Sequence, residues 1–308
     1  LQATIKSAVT FEGVGLHSGA IVRMVVRPAA ADHGIWFRRS DMALGNNLIP
    51  AIWDAVVSSQ LCTLLHNEAG AKVSTVEHIM AALAGCGIHN AMIDVDGPEV
   101  PILDGSSAQF VKGLMGAGIA PQNAPLKAVK VLKPVEVRDG LAVARLDPAN
   151  ELRIDFSIDF ADDAIGTQTK SLNMANGAFV RELSACRTFC RKADVDTMQA
   201  NGLALGGTFD NAVVVDGADV LSPGGFRIRD EAVRHKMLDA LGDLALAGRP
   251  LLARYTGERA GHAMTNKLLR ALFADPSNYR IVTCDSQTAA RLPGVGVKSA
   301  DMPAYAFA

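Results

Sequence analysis

The 308-residue sequence has no excess of charge of either sign: 30 Lys and Arg stand against 32 Asp and Glu, for a formal net charge of −2. That balance excludes the basic surplus of a chain whose main partner is nucleic acid, and no cluster of Lys and Arg marks an anionic membrane surface. Hydrophobic residues make up 49% of the chain. No run, however, reaches the ~18 uninterrupted apolar residues of a membrane span, so stable membrane insertion is not expected. The opening residues, LQATIKSAVTFEG, lack the charged, apolar and cleavage-site segments of a secretory signal. Cysteine is scarce: Cys62, Cys86, Cys186, Cys190 and Cys284 form an odd, scattered set without zinc-finger spacing. Reduced thiols in the cytoplasm are the expectation. Cys186 and Cys190 are the one close pair, and without a second pair they read as small core residues.

Two ligand motifs are also missing. GVGLHSG lacks the GK[ST] of a P-loop and the spacing of a dinucleotide fingerprint, and reads as a tight turn. DVDGPEVPILDGSS gathers Asp94, Asp96, Glu99 and Asp104 without the length or spacing of an EF-hand loop, so hairpin turns are the better reading.

What is present is a run of strands interrupted by pairs of helices. AIVRMVV (20–26), NAMIDVDG (90–97), KAVKVLKPVEV (127–137), LRIDFSIDF (152–160) and NAVVVDG (211–217) alternate or are β-branched and end in turn residues. Helical periodicity begins near Ser74, covers about 230–247 and 262–273, and includes a shorter helix at 108–118 ending in glycine. Such an order predicts an α+β layered fold rather than a doubly wound parallel sheet. PQNAP (121–125) is the best linker, dividing the chain into residues 1–122 and 123–308.

Polar residues stand where apolar helices should not need them. In VRHKMLDALGD, His235 and Asp239 are four apart and project from one helix face, with Asp243 a turn beyond. The ordinary reading is a solvated face with an i,i+4 ion pair, opposite a buried face of Val233, Met237, Leu241 and Leu244. A metal reading needs a third ligand, and His78 in TVEHIMAALAGCGIHN supplies one. Three protein ligands from His, Asp, Glu or Cys, with a fourth position left for water, are usual for catalytic zinc. Ser74-x-x-Glu77 also matches a capping box, which would explain Glu77 but not His78. The helix dipole disfavours the protonated form of a histidine in a first helical turn, and the neutral form is the one that binds metal. Glu77 lies about 100° round from it. His262 opens the third long helix, where a surface role and a functional one are equally compatible with the local sequence. His17 and His89 sit in turns and read as structural.

Taken together, TVEH, DGPEVPILDGS, CRTF, LALGGTFDNAVV, RHKMLDALGDL and GHAMTNKLL resemble, in order and separation, the UDP-3-O-acyl-N-acetylglucosamine deacetylases. The resemblance covers almost the whole chain and fades after about residue 275. It implies a cytoplasmic zinc amidase of lipid A biosynthesis, with one Zn2+ per chain, acting as a monomer on a UDP-linked acylated glucosamine. Matched motif by motif, it implies that His78, His235 and Asp239 bind zinc and that Glu77 is the general base. His262 matches the cationic histidine, Asp243 its carboxylate partner, and Thr188 of CRTF a hydroxyl near the developing oxyanion. CRTFC departs from the more usual flanks, alanine and glycine, at Cys186 and Cys190. The implied fold is two related domains, each with helices on a small, mostly antiparallel sheet, the site lying between the helical layers. A β-α-β insert at about 188–215 in the second domain would shape an acyl passage, with Phe189, Val195, Ala204, Thr208, Ala212 and Val214 as its lining. Lys236 and Arg259 are the cations expected near the diphosphate, and Phe160 matches a contact to the uracil. Two other classes stay open: a non-catalytic nucleotide-sugar or lipid-binding module with a closed structural metal site, and a small-molecule kinase using GVGLHSG as a phosphate loop.

Overall fold

Alternation of apolar and polar residues builds two sheets. In the strand Leu152–Asp159, Leu152, Ile154, Phe156 and Ile158 are buried while Arg153 and Asp159 are exposed, the period-2 pattern of a strand with one face on a core. The computed structural model describes residues 1–59 and 61–307. Its first large sheet has five strands in the order Val9–Val14, Ile21–Pro28, Ala91–Val95, Ile35–Arg39, Leu48–Pro50. Only the pairing of Ile35–Arg39 with Ala91–Val95 is parallel. The second has seven strands. Val135–Asp139, Ala142–Pro148, Leu251–Glu258, Lys127–Val131 and Tyr279–Thr283 run in a row. Leu152–Asp159 lies parallel to Leu251–Glu258, with Thr167–Asn173 antiparallel beyond it.

KAVKVLKPVEV, expected as a single strand, is two, Lys127–Val131 and Val135–Asp139. Pro134 falls in the gap, where it can donate nothing to a ladder. The first piece is central in the sheet and the second is its edge.

Seven α helices are present among the described residues: α1 (Glu77–Gly85), α2 (Ala108–Ala117), α3 (Ala178–Glu182), α4 (Lys192–Ala200), α5 (Glu231–Ala245), α6 (His262–Ala274) and α7 (Ser286–Ala289). α2 lies on the first sheet, Phe110 meeting Phe11 edge-on at 5.0 Å between ring centroids. α5 and α6 cover the second sheet, and α1 packs along α5, so the two helical layers face each other at the centre. A Cβ at Gly242 would sit 2.0 Å from the carbonyl oxygen of Glu77, so only glycine lets α5 approach the first turn of α1 this closely.

The expectation of a solvated face on α5 fails. Val233, Met237, Leu241 and Leu244 are sealed, as expected, but His235, Asp239 and Asp243 on the other side are buried too. Each buried aliphatic side chain contributes about 1.5–3 kcal/mol, offset by the entropy of ordering it. The buried polar stripe contributes no such gain and needs another reason to be there.

The segment after CRTF forms the expected β-α-β unit. Phe189–Arg191 runs parallel to Val213–Asp216 with α4 between them, and Asp219–Val220 adds a third, antiparallel strand. All five cysteines are free. Cys186 is a buried core residue, whereas Cys190 is half-buried and faces a cavity, which corrects its reading as core.

Candidate active site

The chain enters α1 through Thr75, whose φ of 58° lies in the left-handed region. The Thr75 hydroxyl donates to Glu99 Oε1 at 2.8 Å. Ser74 closes the preceding strand, its N–H donating to the Pro98 carbonyl and its carbonyl accepting from Val100. The capping box therefore does not form: Val76 is the N-cap and no side chain caps the helix. Glu77 Oε2 instead accepts the N–H of Thr63 at 3.0 Å. Glu77 and His78 are both 3% exposed. Burial pushes the Glu77 carboxyl above its ordinary range, against the opposing pull of His262 and His78.

Two turns of α5 bring His235 and Asp239 under His78. Asp239 Oδ1 lies 3.3 Å from His235 Nε2 and 3.6 Å from His78 Nε2. The Nδ1–H of His235 is donated to the Cys186 carbonyl at 3.0 Å, which leaves Nε2 with a lone pair toward Asp239. Burial lowers the His235 pKa to about 4, so the ring is neutral near pH 7. Burial alone would raise Asp239, but His235 and Lys236 hold it well below the usual carboxylate range.

Whether these residues suit a metal can be tested on their own hydrogen bonding. Asp239 Oδ1 and His78 Nδ1 are the buried side-chain atoms left without a hydrogen-bond partner among the described residues. An orphaned carboxylate oxygen facing two imidazole nitrogens is costly in a dry interior unless a cation completes it. The three ligand atoms lie within 4.8 Å of one another. Bonds of about 2.0–2.1 Å around a tetrahedral ion put neighbouring ligands roughly 3.3 Å apart, close to the two separations from Asp239 Oδ1. The donor set fits a metal ion, and it has three members among the described residues rather than the four of a closed structural site.

A second buried couple adjoins the first. His262, the first residue of α6, donates its Nδ1–H to Asp243 Oδ2 at 2.8 Å, and its Nε2 lies 3.7 Å from Glu77 Oε1. Asp243 Oδ1 accepts the Thr63 hydroxyl at 2.5 Å. Burial and the start of a helix both disfavour an imidazolium, yet Asp243 and Glu77 outweigh them and raise the His262 pKa to about 9.

Glu77, His78, His235, Asp239 and His262 line a cavity of about 820 Å3, with Asp243 and Thr63 behind them. Thr188 lines it as well, with Phe160, Phe189, Val195, Ala204, Thr208, Ala212 and Val214 forming apolar wall. Phe189 meets Phe160 edge-on at 5.4 Å and stands 6.3 Å from the His235 ring. Lys236 also reaches the cavity, but its ammonium is held by Asp239 Oδ2 at 2.7 Å rather than pointing to an exposed helix face. Arg259 lies outside the lining, paired with Asp159.

Four supporting residues are not singled out as functional by the sequence. Thr63 touches both Glu77 and Asp243, but its neighbours in LCTLL are apolar and nothing local distinguishes it. Arg187 and Glu231 form a buried pair at 2.9 Å, and the Arg187 N–H donates to the same carboxylate, pinning the peptide whose Cys186 carbonyl orients His235. Glu99 takes the N–H groups of His17 and Ser18 at 2.9 and 2.8 Å. Those donors are the ones a phosphate loop would need, so GVGLHSG is a turn bound to a protein carboxylate. Gly15 is required there, since a Cβ would stand 2.3 Å from Glu99 Oε2.

Comparison with known proteins agrees with this geometry. Residues 2–274 match the family model described as UDP-3-O-acyl N-acetylglycosamine deacetylase. A UDP-3-O-acyl-N-acetylglucosamine deacetylase of Phenylobacterium zucineum is 49% identical over 92% of this chain and 96% of its own. Its namesake in Idiomarina loihiensis is 47% identical over 94% of each chain, and that of Anaeromyxobacter 46% over 95% of each. With the match running through every element that carries the buried histidines and carboxylates, the chain belongs to the UDP-3-O-acyl N-acetylglycosamine deacetylase family.

Proposed function

We propose that this protein hydrolyses the acetamide of a UDP-linked 3-O-acylated N-acetylglucosamine, releasing acetate and the free amine in lipid A biosynthesis, with one Zn2+ held by His78, His235 and Asp239. The observation that carries the reading is the unpaired, buried Asp239 Oδ1 between two imidazole Nε2 atoms, with a separately held carboxylate, Glu77, beside them. Bound there, zinc would polarise the amide carbonyl and make water a stronger acid, from a pKa of about 15.7 toward roughly 7.

The rest falls to the protein's own groups. Glu77 Oε2 is occupied by the Thr63 N–H, so Oε1 is the oxygen left to take the proton of the attacking water. An amine cannot leave as an anion. His262 carries the proton it needs: Nδ1–H is donated to Asp243, and Nε2–H faces the side of the cavity where Glu77 lies. Thr188, which lines the cavity, would donate to the developing oxyanion. Lys236 balances Asp239 and keeps it ionised. Phe160, Phe189 and Val214 give the acyl chain an apolar surface and keep bulk water from the reacting groups. The five free thiols fit a reducing cytoplasm, and no described helix is long and apolar enough to cross a membrane.

The test is acetate release from the UDP-acyl-N-acetylglucosamine substrate by purified protein without ATP. Release is expected to stop with a chelator and return with added Zn2+; release indifferent to the chelator would overturn the proposal.

A further inference from the structure

A second cavity, of about 510 Å3, lies between the two sheets on the far side of the helices that carry the active site. No residue lines both cavities. Its helical wall is made by the later turns of the same helices, Leu83 and Ala84 of α1 and Leu244 and Ala245 of α5. The two leucines are sealed, while Ala84 and Ala245 are half-buried, so α1 and α5 bring nothing larger than a methyl group to the open part of the gap, where Phe273 of α6 also stands. Ligand sites of this volume occur preferentially between domains.

The opposite wall carries charge. Lys127 and Val129 of one strand line the cavity, as do Leu251 of the neighbouring strand and Arg249, in the bend just before that strand. Val129 pairs with Leu251 in parallel register. The Val129 N–H also donates to the Pro250 carbonyl at 2.9 Å, which holds the segment carrying Arg249 against the strand that starts at Lys127. Neither cation has a carboxylate partner among the described residues. The one acid of the lining, Asp32, is already engaged by Gln2 Nε2 at 2.8 Å. Arg249 is exposed and Lys127 half-buried, so both stand toward solvent. Gln2, His33, His89 and Asn90 also line it, and the rest of the wall is apolar or aromatic, with Trp36, and with Trp53 stacked on Phe273 at 5.2 Å. Two unpaired cations beside an apolar, aromatic chamber complement a molecule with an anionic head and a hydrocarbon tail.

We propose that this cavity is a second binding site, distinct from the catalytic one, for a single-chain amphipath with a carboxylate head. The carboxylate sits between Lys127 and Arg249, and the chain lies against Trp36 and Trp53.

The sequence contains two tryptophans, and both line this cavity. 11-Bromoundecanoate, whose heavy atom quenches indole fluorescence only on contact, therefore reports occupancy directly. Saturable quenching is expected, with 11-bromoundecanol binding roughly tenfold more weakly for want of the charged contacts. Lys127→Glu with Arg249→Glu is expected to bring the acid down to the affinity of the alcohol. Ala245→Phe is expected to abolish quenching by filling the chamber. Should that variant fail to fold, the charge-reversal pair, on the solvent side, still decides. Absence of saturable quenching, equal quenching by acid and alcohol, or quenching undiminished by charge reversal would each overturn the proposal. So would inhibition of acetate release by the bromo acid without quenching, which would place it in the catalytic cavity.

Discussion

Glu231 and Asp239 lie on α5, roughly two turns apart, and both are buried, yet their oxygens are satisfied in different ways. Glu231 accepts from the Arg187 N–H, Nε and Nη2 at 2.9, 2.9 and 3.1 Å and from the Arg227 N–H at 2.6 Å. Asp239 has Lys236 on Oδ2 and nothing on Oδ1. The first carboxylate is a fastener between α5 and the CRTF segment. The second leaves a buried acceptor unmade, which a fold built for stability alone would avoid. One helix thus carries a completed polar site at its start and an incomplete one in its middle, and the incomplete one is where chemistry is expected.

The largest effect should come from the incomplete site. Asp239→Asn and His78→Ala are expected to lose zinc by elemental analysis, with acetate release falling to the assay background, while the metal-free protein stays folded with a denaturant midpoint below that of the zinc-loaded parent. Full metal content in both variants would break the comparison at its root. Glu77→Ala comes next: metal and fold are expected to persist while turnover falls by roughly 10²–10⁴-fold. Loss of helix stability with activity intact would assign Glu77 to α1 rather than to the reaction.

The completed site should behave in the opposite way. Breaking a buried, hydrogen-bonded ion pair by neutralising one partner costs about 3–5 kcal/mol. Glu231→Gln is therefore expected to lower the urea midpoint strongly, while the chains that remain folded keep their zinc. Unchanged stability with lost metal would mean that the two carboxylates do not divide the work in this way.

Which of these residues the sequence exposes depends on how local their partners are. His235, Asp239 and Asp243 recur at four-residue spacing on one helix, so their shared face is legible from the spacing alone. Glu77 beside His78 is equally visible, although the sequence points to a capping box that Ser74 cannot supply because strand pairing claims it and Thr75 turns the chain before α1. Glu231 is legible only as a first-turn acid, since its partner Arg187 is 44 positions away. Thr63 is hidden for the same reason, its hydroxyl meeting Asp243 across 180 positions. Alternation marks Ile21–Pro28, Ala91–Val95, Leu152–Asp159 and the run that Pro134 splits into two strands, but Ile35–Arg39, Thr167–Asn173 and the central Leu251–Glu258 are not singled out by it. Metal ligands on one helix announce themselves, whereas the groups that hold them in place are distant in sequence and chemically ordinary.

The smallest expected change concerns His262, which belongs to neither extreme. It has a carboxylate on Nδ1, as Glu231 has its arginine, and an Nε2 left toward the cavity, as Asp239 leaves Oδ1. Burial lowers its proton affinity, but Asp243 and Glu77 prevail and raise the pKa to about 9, so the ring is protonated at neutral pH. If that proton is the one the departing amine takes, the rate must fall as pH rises through about 9, where the imidazolium is lost. His262→Gln cannot donate in this way at any pH. Turnover at pH 7 is expected to drop by roughly 10²-fold, the lower end for acid–base groups, and the basic limb of the profile to flatten. A basic limb that stays in place in His262→Gln would show that another group carries the proton. The partnership with Asp243 would then be a fastener like that of Glu231 with Arg187.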